Sequence, residues 1–192
     1  MKSFASRIVR WQRHHGRHAL PWQASRDPYR IWLSEIMLQQ TQVTTVIPYF
    51  GRFVARFPDL PSLAAAHEDE VLALWSGLGY YSRARNLHAA ARAIVAQGGN
   101  FPANPGAIAQ LPGIGRSTAA AIAALAFGQP CAILDGNVKR VLARHAGIAG
   151  WPGDKKTATA LWQLAESYLP HTAIEAYTQG MMDLGALVCT RS

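Results

Sequence analysis

The stretch Leu111-Pro-Gly-Ile-Gly-Arg-Ser-Thr118 decides how this chain reads, because it sets two glycines in a tight turn directly before the alanine-rich run Ala119 to Ala126. Pro112, Gly113 and Gly115 permit a sharp bend with uncovered backbone amides, and Ser117 and Thr118 lead into a helix. Amides at a helix start are unpaired and sit at the positive end of the dipole, which suits an anion such as phosphate. A plain connection between two helices accounts for the same residues. Some twenty residues on, Leu134-Asp-Gly-Asn-Val-Lys-Arg140 puts Asp135 at the start of a further helix carrying Lys139, Arg140 and Arg144. A carboxylate there either caps the helix or does chemistry beside a backbone grip.

Outward from these motifs the periodicity is helical throughout. Apolar spacing predicts helices at about 3–15, 30–46, 48–56, 68–76, 83–97, 105–110, 117–127, 136–146, 155–168 and 173–188. Breakers such as Phe57-Pro-Asp-Leu-Pro61, Gly77-Leu-Gly79 and Gly150-Trp-Pro-Gly-Asp154 fall between them. The fold class is therefore all-α. At 192 residues with 49% hydrophobic content the chain can bury a core, and it has no repeat and no low-complexity linker. Any division into lobes must then be discontinuous in sequence.

Nineteen Lys and Arg against eleven Asp and Glu give +8, a balance that favours a polyanion: nucleic acid or an acidic lipid surface. No apolar run approaches the ~18 residues of a membrane span, and Met1-Lys-Ser-Phe-Ala-Ser-Arg-Ile-Val-Arg-Trp-Gln12 lacks the continuous apolar stretch expected of a signal peptide. The expected location is cytoplasmic, at the nucleoid, with no membrane partner. Two cysteines, Cys131 and Cys189, make neither a disulfide framework nor a complete metal site.

Two further stretches carry chemistry. Trp32-Leu-Ser-Glu-Ile-Met-Leu-Gln-Gln-Thr-Gln42 isolates Glu35 among apolar residues. An acid there is either one member of a polar stripe with Ser34 and Gln39, or is held in a cleft with its proton retained. Gln39, Gln40, Thr41 and Gln42 follow as uncharged hydrogen-bonding groups suited to base edges or to insertion in a stack. Gly77-Leu-Gly-Tyr-Tyr-Ser-Arg-Ala-Arg-Asn86 interleaves aromatic and basic side chains, a pattern for stacking on bases and pairing with phosphates. Tyr81 is expected to finish a core.

Together these blocks, with Leu20-Pro-Trp22 and Met182-Asp-Leu-Gly-Ala-Leu-Val-Cys-Thr-Arg-Ser192, resemble the helix-hairpin-helix (endonuclease III) superfamily of DNA glycosylases, and within it the adenine DNA glycosylases of the MutY type. They occur in family order over nearly the whole chain. The resemblance implies a six-helix barrel lobe at about 23–130 including the hairpin, a second lobe from 1–22 and 131–192, and duplex DNA gripped at the cleft by a monomer. It implies base-excision repair: removal of adenine mispaired with 8-oxoguanine or guanine by hydrolysis of the N-glycosidic bond.

By the same resemblance Glu35 protonates adenine at N7, Asp135 stays ionised and offsets the positive charge on the sugar, and Asn137 supports that acid. Gln40 and Tyr80 match residues that intercalate around the target pair, and Gln179 matches one that contacts the adenine edge. Gly113, Gly115, Arg116, Thr118 and Lys139 match contacts to the DNA backbone. Ser117 stands where bifunctional relatives carry a lysine that forms a Schiff base, so base removal without strand cleavage is expected, although Lys139 matches a lysine that traps abasic DNA. Cys189 matches the first of four cysteine ligands to a [4Fe–4S] cluster; the other three are absent, and the chain reads as a fragment that lacks the cluster loop and the family's C-terminal domain. The alternatives are an endonuclease III-like glycosylase for oxidised pyrimidines, disfavoured by Ser117, and a catalytically inactive DNA-binding fragment.

Overall fold

The computed structural model describes residues 3–190, and among them all regular structure is helical. In chain order the helices are α1 (Phe4–His15), α2 (Pro28–Leu38), α3 (Val43–Arg56), α4 (Leu60–Ala65), α5 (Glu68–Trp75), α6 (Ser82–Ala96), α7 (Pro105–Ile108), α8 (Arg116–Phe127), α9 (Gly136–Ala146), α10 (Lys155–Ser167) and α11 (Ile174–Leu187), with one 3₁₀ turn at Pro21–Gln23. Many starts are encoded locally. Asp27, Asp59, Asn104, Asp135 and Asp154 each accept a backbone N–H of the helix they precede.

The chain divides into two compact units, one running from Ala19 to Ile122 and the other built from residues up to His18 together with those from Ala123 onward. In the first unit α2 is buried on most of its circumference, with Trp32, Leu33 and Met37 fully inside. Phe50, Phe53 and Phe57 of α3 and its C-terminal cap, Leu63 of α4, Trp75 of α5, and Leu87 and Ile94 of α6 complete that core. Aromatic edges fix its packing: Trp22 meets Phe50 at 5.4 Å and Phe53 meets Trp75 at 6.1 Å between centroids. The Tyr29 hydroxyl donates to the Phe57 carbonyl at 2.6 Å, so the polar end of a buried ring is satisfied.

The second unit is organised on α11, which packs against α1 and α9. Gly185 makes the latter approach feasible, since a β-carbon there would lie 2.5 Å from Asn137 Cβ and 2.9 Å from its backbone oxygen. Asp183, fully buried in α11, closes the N-terminal segment onto this helix. It accepts the Arg17 backbone N–H at 2.8 Å, the Arg17 Nε at 2.7 Å and the Gln179 amide at 2.9 Å. Removing one partner of such a buried pair costs about 3–5 kcal/mol.

The structure differs from the sequence expectation at one long element. The predicted helix over 30–46 is two, α2 ending at Leu38 and α3 beginning at Val43, with Gln40 in the left-handed region at φ 57°. α3 then continues through Pro48, where the periodicity had placed a boundary. Both α4 and the 3₁₀ turn were hidden in proline-rich stretches read as breakers.

Candidate active site

Glu35 sits in α2 with Ile31, Trp32, Leu33, Ser34, Ile36 and Met37 all buried around it, while Glu35 itself is partly accessible. Ser34 is not its partner in a polar stripe: that hydroxyl is buried and donates to the Ile31 carbonyl at 2.7 Å. Glu35 is therefore a partly accessible acid flanked on both sides by buried residues of α2 in the first unit.

Asp135 belongs to the second unit and is the N-cap of α9, its Oδ1 accepting the Val138 N–H at 2.8 Å. Burial pushes its carboxyl above the ordinary range, opposed by the N–H groups of Val138 and Asn137 and by the charges of Arg140 and Lys139. The two readings of this acid, cap and chemistry, thus coexist in one residue. Asn137, in the first turn of α9, accepts the Arg140 Nη2 at 2.9 Å. Arg140 is then fully engaged, donating also to the Gly136, Gly185 and Cys189 carbonyls. Gln179 points its amide nitrogen at Asp183, which leaves the amide oxygen as the group it offers elsewhere.

The hairpin lies in the first unit between α7 and α8. Leu111 and Ile114 anchor it in the core. Gly113 has φ +75°, and a β-carbon there would lie 2.7 Å from Asn86 Cβ, so glycine is required twice over. Gly115 has open space at the same place. Arg116 is exposed, and Ser117 and Thr118 are half-buried in the first turn of α8.

Tyr80 is 59% exposed and left-handed at φ 50°, and the side chain of Gln40 is exposed too. Tyr81, expected in a core, is 41% exposed, with its hydroxyl 3.4 Å from Ser76 Oγ. Arg83 is the larger surprise. It reads in the sequence as a phosphate partner, but it is buried and its guanidinium is bonded to backbone carbonyls of the first unit. Arg85 pairs with Glu68 at 3.3 Å on the surface. Asp183 and the internal role of Arg83 were missed in the sequence; an acid inside Met181-Met182-Asp183-Leu184 was the one available signal for the former.

Cys189 Sγ lies 3.2 Å from the Arg144 Nη1, which also donates to the Thr190 carbonyl. Burial raises the Cys131 thiol, the opposite of what a thiolate ligand needs. No cluster of metal-binding side chains occurs among the described residues. The cysteines present do not make a [4Fe–4S] site, which takes four thiolates, and no chemistry is assigned to one. Among the described residues no helix is long and apolar enough to cross a membrane.

A family model described as HhH-GPD superfamily base excision DNA repair protein matches residues 33–167. The chain is 48% identical over 97% of its length to the adenine DNA glycosylase of Buchnera aphidicola subsp. Acyrthosiphon pisum, and covers 53% of that protein. It is 43% identical over 98% of its length to the adenine DNA glycosylase of Mus musculus, of which it covers 38%. The chain thus spans about half, or less, of the curated relatives it matches. Among solved structures, a thermostable thymine-DNA glycosylase aligns with a TM-score of 0.87 at 32% identity, covering 98% of this chain and 87% of that one. A non-covalent endonuclease III–DNA complex aligns at 0.81 and 19% identity over 98% of this chain and 85% of that one, a likeness of fold.

Proposed function

The chain belongs to the HhH-GPD superfamily of base excision DNA repair proteins, and on that premise we propose that it is the glycosylase part of an enzyme that removes adenine mispaired with 8-oxoguanine or guanine in duplex DNA. The observation that carries this reading is the 48% identity, spanning 97% of the chain, to a protein named adenine DNA glycosylase.

Glu35 donates a proton to adenine N7. The C1′–N9 bond breaks, its electron pair leaves with the neutral base, and the sugar becomes oxocarbenium-like. Asp135 in its ionised form offsets that charge, and Asn137 supports it. Water adds at C1′ and loses a proton, which leaves an abasic site. Because Ser117 offers no amine, the strand is not cut. Gln179 presents its amide oxygen to the adenine edge. Gly113, Gly115, Arg116, Thr118 and Lys139 hold the backbone, while Gln40 and Tyr80 fill the stack around the flipped nucleotide. The enzyme acts as a monomer in the cytoplasm, at the nucleoid. A [4Fe–4S] cluster belongs to this reading only through the family, with Cys189 as one ligand.

A second reading deserves one arm of the test, because a solved relative is named a thymine-DNA glycosylase. Thymine has no N7 to protonate. Duplexes bearing A:8-oxoguanine, A:G and T:G, treated with excess protein under single-turnover conditions, separate the two. Adenine release is expected, and Glu35→Gln is expected to reduce it at least about 10³-fold while duplex affinity stays within a few fold. Thymine release without adenine release, or excision by Glu35→Gln at near-normal rate, defeats the proposal.

A further inference from the structure

Two turns of the first unit share an unusual backbone feature. In the turn after α2, Gln40 is left-handed at φ 57°; in the turn before α6, Tyr80 is left-handed at φ 50°. Neither is glycine, and both project exposed side chains. Such conformations are intrinsically unfavourable for a residue with a β-carbon, and they persist where surrounding bonds over-determine them.

One buried side chain supplies those bonds. Arg83 Nη1 donates to the carbonyls of Ile36 at 3.1 Å and Met37 at 2.9 Å, and to that of Gln39. Its Nη2 donates to Thr41 Oγ1 at 3.1 Å in the same turn, and to Leu78 and Gly79 carbonyls at 3.2 Å each in the other. Gln39 and Gly79 immediately precede Gln40 and Tyr80. A carbonyl's direction is tied to the φ of the residue that follows it, so the guanidinium grips the two peptide planes that define both left-handed residues. Trp75, fully buried, backs the same cation at 5.5 Å from its ring centroid and donates its indole N–H to the Gly79 carbonyl at 3.2 Å. The Tyr80 ring lies over the cation at 5.4 Å.

We propose that Arg83 is a positioning residue that locks Gln40 and Tyr80 into a single paired wedge before DNA arrives. A planar amide and a planar ring, each exposed on a left-handed residue of a turn gripped by the same guanidinium, fit the gap left in a base stack when a nucleotide is turned out. Lysine cannot replace the arginine, because one ammonium has no fork to reach carbonyls in two turns at once. The inference rests on the DNA glycosylase reading for the wedge's target, whereas the lock is a property of the chain alone.

The test uses the 192-residue chain and an A:8-oxoguanine duplex with 2-aminopurine beside the mispair. Anisotropy reports binding, and 2-aminopurine fluorescence reports unstacking. The unsubstituted chain should bind and raise fluorescence; a chain that binds no duplex defeats both the glycosylase reading and this proposal. Arg83→Lys should keep affinity within about 3-fold but lose most of the rise, about 5-fold, and should add nothing in a Gln40→Ala/Tyr80→Ala background. A rise retained in Arg83→Lys, a further loss in the wedge-less background, or parallel loss of affinity and signal defeats the lock while leaving the glycosylase reading intact. If Arg83→Lys does not fold, Thr41→Val removes one acceptor of the same nitrogen. About a 2-fold smaller rise is then expected, again absent without the wedge; an unchanged rise overturns the proposal.

Discussion

Glu35 and Asp135 are both carboxylic acids, but the chain holds them in opposite ways. Glu35 lies in the body of α2, where backbone N–H groups are committed to the helix and the flanking side chains are buried. Asp135 lies at the start of α9, where free N–H groups of Val138 and Asn137 face it and Arg140 and Lys139 add positive charge. A helix body gives a carboxylate little fixed positive charge; a helix start gives it a great deal. At Asp135 burial outweighs that help and holds the carboxyl above its ordinary range, so place in the helix and depth in the fold together set its character. In the proposed reaction Glu35 is the acid that gives up a proton and Asp135 the one that carries charge, with the N–H groups and cations beside Asp135 working against its burial.

The sharpest way to break this comparison is to neutralise Asp135. Asp135→Asn keeps a competent N-cap, since asparagine caps as well as aspartate, but removes the charge. Excision should fall about 10²–10³-fold. Stability should move the other way. Burial raises this carboxyl in the folded state, so the fold binds the proton more tightly than the unfolded chain does. Below the unfolded value the group is protonated in both states and costs nothing; the destabilisation grows as pH rises above the unfolded value and is complete once pH has passed the folded value. Asparagine has no such ionisation. The variant should therefore melt above the parent at pH 7, by roughly 2–4 °C for each kcal/mol relieved, and the gap should close as pH falls towards 4. Thermal melts of both proteins across that range check it. A gap independent of pH would mean that the cap, not the buried charge, sets the energetics at this position.

The local settings of the two candidate acids, a helix body and a helix start, were legible in the sequence because each sits inside a local motif. What holds the surrounding turns was not. Arg83 follows two tyrosines and reads as a phosphate ligand; its actual acceptors lie up to 47 residues away at the end of α2. That same long-range grip explains the missed break in the 30–46 helix. Gln39-Gln-Thr-Gln42 contains neither proline nor glycine, and the helix stops where Arg83 takes the carbonyls of Ile36, Met37 and Gln39. Asp183 escaped for a similar reason, since its partner Arg17 lies 166 residues away. The loss of α4 was a local misreading. Pro61 was counted as a breaker, yet in the first turn of a helix, behind the Asp59 capping box, proline removes no internal hydrogen bond.

The hairpin sharpens the contrast between residues needed by the fold and residues needed by a ligand. Gly113 is left-handed and pressed against Asn86. Gly113→Val should destabilise the chain by about 3 kcal/mol through strain and overpacking together, seen as an earlier urea midpoint with an unchanged slope. Part of any loss of DNA binding in that variant is then a consequence of unfolding, and that part should recover when binding is measured at a temperature where the variant is folded. A stable Gly113→Val variant would show that Asn86 and the turn relax more easily than their contact distances imply.

Gly115 makes the complementary case, and the expected effect is the smallest. No atom lies within 4 Å of a β-carbon built there, and no left-handed φ requires glycine. Gly115→Ala should leave the melting temperature within about 1–2 °C of the parent, because a single exposed methyl in open space neither clashes nor buries. If the space is where a phosphate approaches the amides, that methyl should weaken duplex binding about 3–10-fold, equally for matched and mispaired DNA, since backbone contacts carry no sequence information. Anisotropy titrations with both duplexes at one salt concentration measure this directly. A loss confined to the mispair would move the turn from the backbone to the base, and no loss at all would leave the hairpin as a connection between α7 and α8, the reading that its glycines alone always allowed.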